Sequence, residues 1–185
     1  MLVSTVTLHV VSSLDGFIAR KDNTVSWMDN LDVYEKGVAE DGAEQTLLSI
    51  DCYVLGSRTY EHALELGWPY GATPAIVITS RKLESTRDSV EFYSGDLKKL
   101  VSEILAPRFN NIWLVGGAKL AQSFLELGLV DEIRLMVAPV TLGDGLHLFG
   151  NSGPEQRWHL KNVVAYKNGF VDISYSLDLV RPGPL

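Results

Sequence analysis

Ile112-Trp113-Leu114-Val115-Gly116-Gly117-Ala118-Lys119-Leu120-Ala121-Gln122-Ser123-Phe124-Leu125-Glu126 decides the fold. A short apolar run reaches a glycine pair, and apolar side chains then recur at helical spacing. The segment therefore reads as a strand over 112–115, a tight turn at Gly116-Gly117 and a helix over 118–126. Upstream the same form returns. Cys52-Tyr53-Val54-Leu55 ends at Gly56 and leads into a helix-spaced stretch from Ser57 to Leu66, and Ala75 to Thr79 is a strand followed directly by Ser80-Arg81-Lys82. Val90 to Tyr93 reads as a further strand, and Asp96 to Leu105 as a helix with Asp96 at its N-cap.

Further out, Leu2 to Val11 sets Thr5, Thr7 and His9 at alternate positions among apolar residues, the period of a strand with one less buried face. Ser12 to Asn30 carries turn signals, Asp15-Gly16 and Asp22-Asn23, and reads as a loop anchored by Trp27. Asp32 to Ser49 reads as a helix capped by Asp32 and weakened by Gly37 and Gly42. Downstream the pattern changes. Glu132 to Val140, Trp158 to Tyr166 and Phe170 to Leu177 are strands with no helix between them, the last two joined at Lys167-Asn168-Gly169 by a hairpin turn. Strand-helix alternation followed by consecutive strands predicts an α/β fold in three layers: a mixed, mostly parallel sheet with helices on both faces and a C-terminal antiparallel hairpin.

At 185 residues, 46% of them apolar, the chain is expected to be one domain over residues 1–180 with a flexible tail at 181–185, where Pro182-Gly183-Pro184 ends the pattern. A formal net charge of −7 argues against nucleic acid and anionic membranes as partners. The single cysteine, Cys52, forms no intramolecular disulfide, and no Cys/His cluster offers a metal site. The N-terminus lacks the pattern of a secretory signal, and no apolar run spans a bilayer, so the expected location is the cytoplasm.

In sheets of this kind ligands bind beyond the carboxyl ends of parallel strands. Three loops fall there. Gly116-Gly117, with Ala118 opening the helix, brings backbone close to a ligand and offers N–H groups and a positive dipole end to a phosphate. Gly56-Ser57-Arg58-Thr59 adds a second glycine turn with hydroxyls and a guanidinium, and Ser80-Arg81-Lys82 adds a third, cationic loop in an acidic chain. Each alone reads more readily as a tight turn or a solvated surface. Together they point to a phosphorylated dinucleotide.

The order of these motifs resembles the dihydrofolate reductase-like superfamily, most closely the reductase domain at the C-terminal end of the bifunctional riboflavin-biosynthesis deaminase-reductase. The resemblance rests on Ser13-Leu14-Asp15-Gly16-Phe17-Ile18-Ala19, Trp27, Ile50-Asp51 through Gly56-Ser57-Arg58-Thr59-Tyr60-Glu61, Ile78-Thr79-Ser80-Arg81, Val115-Gly116-Gly117, and Leu129-Val130-Asp131-Glu132 through Ala138-Pro139-Val140-Thr141-Leu142-Gly143-Asp144-Gly145. It implies a dihydrofolate reductase-like sheet, NADPH as cofactor and hydride transfer to a pyrimidine or pterin-like heterocycle, with another small carbonyl or imine substrate, or binding without turnover, as alternatives. It places Thr59 and Gly116-Gly117 at the pyrophosphate, Ser80 and Arg81 at the adenosine 2'-phosphate, and Ser12, Asp15 and Trp27 on the loop over the nicotinamide.

The substrate half departs from the pattern. Val115 stands where riboflavin-pathway reductases carry a glutamate, Leu47-Leu48-Ser49 where they carry an arginine, and no zinc-deaminase signature is present. The family's substrate carboxylate falls on Asp32 when counted from Trp27 and on Glu40 when counted back from Gly56. Met136 takes the place of its supporting threonine, and Ser57 that of an arginine, with Arg58 next to it. A homodimer is also expected, because the outer faces of the late strands have no remaining helix to cover them.

Overall fold

Alternation of β-branched and aromatic residues dictates the strands. The computed structural model describes residues 4–28, 49–150 and 155–177. In chain order the strands are β1 (Thr5–Ser12), β2 (Phe17–Ala19), β3 (Cys52–Gly56), β4 (Ala75–Ile78), β5 (Val90–Tyr93), β6 (Asn111–Gly116), β7 (Glu132–Val137), β8 (Leu146–His147), β9 (Trp158–Ala165) and β10 (Val171–Leu177). Among the described residues, eight strands form one sheet in the order β5-β4-β3-β6-β1-β7-β10-β9, and β2 pairs with β8 in a small ribbon. Every contact from β5 to β7 is parallel, while β10 runs antiparallel to both β7 and β9. This is the expected mixed sheet closed by an antiparallel hairpin. Gly169, at φ 87, supplies the left-handed residue of the hairpin turn.

Helices cover both faces. Helix α1 (Ser57–Glu65) packs Tyr60 and Ala63 against Tyr53, Leu55, Ala75 and Val77 on one face. The other face buries Val6, Leu8, Val54, Ile76, Ile112 and Leu114 under α2 and α3. Here α2 is the continuous helical stretch Leu97–Lys99, Leu100–Leu105 and Ala106–Arg108, and α3 is Ala118–Glu126. Leu8, Val54 and Leu114 are each at 0% exposure, so each adds ~1.5–3 kcal/mol of burial to the sheet–helix contact.

Several boundaries differ from expectation, each for a local reason. The helix from Asp96 does begin with the Asp96 carboxylate accepting from Lys99 N–H, but it runs on past Leu105 to Arg108. Pro107 has no N–H to give, and the chain absorbs the loss in a π-turn in which Ala106 N–H reaches Val101 O. Strand β7 stops at Val137 rather than Val140: Ala138 N–H still bonds Ser12 O, but Pro139 cannot extend the ladder. The stretch from Ser12 onward is not all loop. Ser12 is the last residue of β1, Phe17–Ala19 is a strand, and Trp27 sits in a single 3-10 turn, Ser26–Met28. His147 is in β8, paired with Phe17 and with its ring 4.5 Å from the Phe17 ring. The expected helix from Asp32, and with it Asp32 and Glu40, lies outside the described residues apart from Ser49. The 181–185 tail lies outside them too. Among the described residues no helix is long and apolar enough to cross a membrane.

Candidate functional site

All the parallel strands point the same way, so Ser12, Gly56, Ile78 and Gly116 end at one edge of the sheet. Because β3 and β6 are neighbours, their two glycine turns lie against each other. A methyl group on Gly56 would meet Gly116 O at 3.6 Å and Gly117 N at 3.8 Å, and one on Gly117 would meet Thr59 Oγ1 at 3.4 Å. The sequence motifs thus form a single cradle of Gly56, Thr59, Gly116 and Gly117, with a cis peptide between Gly116 and Gly117.

Gly56 and Gly117 are the N-caps of α1 and α3, and neither helix has a side-chain cap or an acidic residue in its first turn. Two sets of N–H donors and two positive dipole ends therefore converge where side chains are absent. Arg58 and Lys119 occupy the second position of their helices and are exposed. Arg58 was legible from the motif. Lys119 was not singled out, although its place after Gly-Gly mirrors that of Arg58 after Gly56.

The third loop lies beside this cradle, following β4. Ser80 and Arg81 are exposed, Thr79 Oγ1 accepts from Arg81 N–H at 3.0 Å, and the Arg81 guanidinium pairs with Glu61 on α1. The pair is open to solvent on both sides, the kind worth ~0–1 kcal/mol.

Ser12, Asp15 and Trp27 lie at the end of β1, in the β1–β2 turn and in the 3-10 turn after β2. Ser12 is buried at the end of β1. Ser13 Oγ donates to Asp15 Oδ1 at 2.6 Å and accepts from Phe17 N–H. The other donors to Asp15 come from the 141–145 loop: Leu142 N–H at 3.1 Å and Gly143 N–H at 2.7 Å. The Ser13 hydroxyl lowers the Asp15 carboxyl most, and with the Gly143 and Leu142 N–H groups it outweighs the opposing desolvation, bringing the group down to about 2. Asp15 is thus a clamp between two loops of the sheet edge, and Ser13, two residues before it in the same motif, is its side-chain partner. Trp27 is buried with Ala138, Tyr166 and Phe170, against Val11 and Met136, and its indole N–H has no hydrogen-bond partner among the described residues.

Beside this turn, β1 and β7 run in register and present alternate side chains to one face of the sheet. Val11 pairs with Met136 and His9 with Arg134, all side by side. Asp172 on β10, buried, accepts from Arg134 Nε at 2.6 Å and lies 3.4 Å from the Tyr166 hydroxyl, while its Oδ1 has no partner among the described residues. Burial, with help from the Arg134 charge and against that of Asp172, lowers the His9 imidazole to about 4. Val115, in the place of a family glutamate, packs against the α1-side cluster.

Residues 4–171 match the model of the RibD C-terminal domain. The chain belongs to that family. It is 30% identical to YwjB, an uncharacterized protein of Bacillus subtilis, over 161 residues that make up 86% of this chain and 90% of the relative. In structure it is similar to a Shewanella sp. PV-4 protein provisionally assigned to riboflavin biosynthesis, with a TM-score of 0.81 and 23% identity, covering 94% of this chain and 99% of that one. It also has the fold of a dihydrofolate reductase from Enterococcus faecalis solved with NADP(H) and RAB-propyl, at a TM-score of 0.64 and 14% identity over 94% of this chain and 96% of that one. The RibD C-terminal family is reductase-like, so the twin-glycine cradle belongs to an oxidoreductase fold.

Proposed function

We propose that the protein is an NADPH-dependent reductase that delivers hydride to a small pyrimidine or pterin-like heterocycle. The observation that carries this reading is the meeting of two uncapped, glycine-headed helix N-termini across β3 and β6. The fit is chemical as well as spatial: the cradle offers N–H donors where a Cβ would crowd a pyrophosphate, with the Thr59 hydroxyl beside it. Gly56 to Thr59 and Gly116 to Ala118 would hold the pyrophosphate, and Ser80 with Arg81 the 2'-phosphate. When bound, NADPH supplies hydride from its nicotinamide ring.

This chain's own residues shape what surrounds that ring. Asp15 fixes the β1–β2 turn to the 141–145 loop, and Trp27, Met136 and Val11 form an apolar wall that excludes water. The substrate is a small molecule, and the setting in which the enzyme works is the cytoplasm. Titration of the full chain with NADPH and NADH, followed by NADPH oxidation against a panel of pyrimidine, pterin and small carbonyl acceptors, tests the reading. The expected result is tighter binding of NADPH and acceptor-dependent oxidation of the cofactor. No saturable NADPH binding would overturn it, and binding with oxidation by none of the panel would leave a nucleotide-binding module.

A further inference from the structure

On the face shared by His9 and Arg134, towards the start of the strands, the sheet opens into a groove of about 340 Å³. Thr7, His9, Trp113, Glu132, Arg134 and Lys161 are among its lining residues. The groove lies next to the Val11–Met136 pair, because β1 and β7 stay in register along this face.

Its chemistry is specific. His9 and Trp113 stack with ring centroids 4.3 Å apart and planes 20° from parallel, and the Trp113 indole N–H donates to His9 O at 2.9 Å. The imidazole is therefore held by packing and not by its own nitrogens, which have no hydrogen-bond partner among the described residues. Burial keeps that ring neutral at pH 7, able to give one hydrogen bond and accept another. The cations of the lining already have acids beside them. Lys161 Nζ lies 2.5 Å from Glu132 Oε1, and Arg134 is bound to Asp172. An arriving phosphate would have to displace Glu132 or Asp172 to gain a cation, and would face two carboxylates in doing so. A neutral hydroxyl or lactam group meets no such opposition, and the Thr5 and Thr7 hydroxyls and Asn111 suit it.

Building on the reductase reading, we propose that this groove seats a neutral, hydroxylated arm or lactam edge of the substrate, that His9 is the specificity-determining residue in it, and that a phosphate ester is excluded. The substrate class is thereby narrowed to non-phosphorylated heterocycles.

Uridine, which has a lactam ring and a neutral polyol, and uridine 5'-monophosphate serve as probes in calorimetric titrations of the full chain loaded with NADPH. Uridine is expected to bind about tenfold more tightly than its monophosphate, and His9→Leu to lose about tenfold in uridine affinity with NADPH affinity unchanged, the effect of one hydrogen bond. His9→Gln, which keeps a donor and an acceptor, should stay within about threefold of the wild type. Should His9→Leu fail to fold, Thr7→Val is the second variant, expected to weaken uridine and leave NADPH alone. Equal or tighter binding of the monophosphate, no saturable uridine binding, or indifference of uridine to these variants overturns the proposal. If NADPH itself does not bind, the reductase reading falls on that result, and the same comparison on the unloaded chain decides the groove separately.

Discussion

A histidine on the polar side of an otherwise apolar strand is unremarkable in sequence, and His9 becomes interpretable only through neighbours that are distant in the chain: Trp113 stacked on it and Arg134 across from it. Its lowered value has a consequence for stability. Between 6.5, the ordinary histidine value, and about 4, the unfolded chain holds the proton that the folded chain refuses, so stability is complete above pH 6.5 and is lost as pH falls through that window. The loss expected from His9 is about 2–3 kcal/mol, and urea unfolding at intervals from pH 7 to pH 4 would show it as a slope that His9→Gln flattens. An unchanged slope in that variant would remove His9 from the acid sensitivity. Arg81 makes the opposite case, an exposed residue whose present partner is weak. Giving up Glu61 costs ~0–1 kcal/mol, whereas a charge-assisted bond to phosphate returns ~1.5–3 kcal/mol, so on the proposed reading a bound 2'-phosphate would win the guanidinium. Arg81→Ala is therefore expected to weaken NADPH by that amount and leave NADH unchanged, as measured by parallel titrations. Equal losses for both cofactors would take the 2'-phosphate away from this loop.

At the scale of elements, the two glycines between β6 and α3 have different tasks. Gly116 has φ 98, where a side chain is strained even though a methyl group there would meet only ordinary contacts, Ala121 Cβ at 3.9 Å and Ala118 N at 4.0 Å, and Gly117 has φ −71, where a side chain is not strained in this way but a methyl group would enter the cradle at 3.4 Å from Thr59 Oγ1. Gly116→Ala should cost about 1–3 kcal/mol of stability, and Gly117→Ala should leave thermal unfolding nearly unchanged while weakening NADPH about tenfold. A Gly117→Ala protein that binds NADPH normally would show that the cradle is not where the pyrophosphate rests. The glycine turns were legible in the sequence because strand, glycine and helix are local signals, and their convergence followed from the parallel order. The hydrogen bonds of Asp15 were not legible. They join positions 15, 142 and 143 through a loop contact that no periodicity encodes. The π-turn in α2 was hidden for a related reason: Pro107 announces a disturbance, and only the packed helix shows that the chain absorbs it and continues. Asp32 and Glu40, where two counts along the sequence disagreed, lie outside the described residues.

For the whole molecule, the question is what covers the outer end of the sheet. Helix α3 shields Ile133 and neighbouring side chains, but β10 and β9 extend beyond it. Through the antiparallel registers, Ile133 and Leu135 share a face with Tyr175 and Ile173, and these with Leu160 and Val163, which are 59% and 52% exposed. Isolated exposed apolar residues need no explanation, but two of them on an edge strand that continues a core face form a patch of the kind that homodimers bury. Burying one such face against its own copy also protects β9, which among the described residues is the edge strand of the sheet, from uncontrolled strand addition. The expected state is a homodimer related by a two-fold axis through this region, with a total interface on the order of 1,200–2,000 Å². Light scattering at micromolar concentration should give twice the 20.4 kDa of one chain. The double substitution Leu160→Lys and Val163→Lys places like charges in the patch and should yield a folded monomer with the wild-type circular dichroism spectrum. If the wild type scatters as a single chain, or the double variant remains dimeric, the outer face of β9 and β10 is not the interface, and the exposed leucine and valine are merely surface.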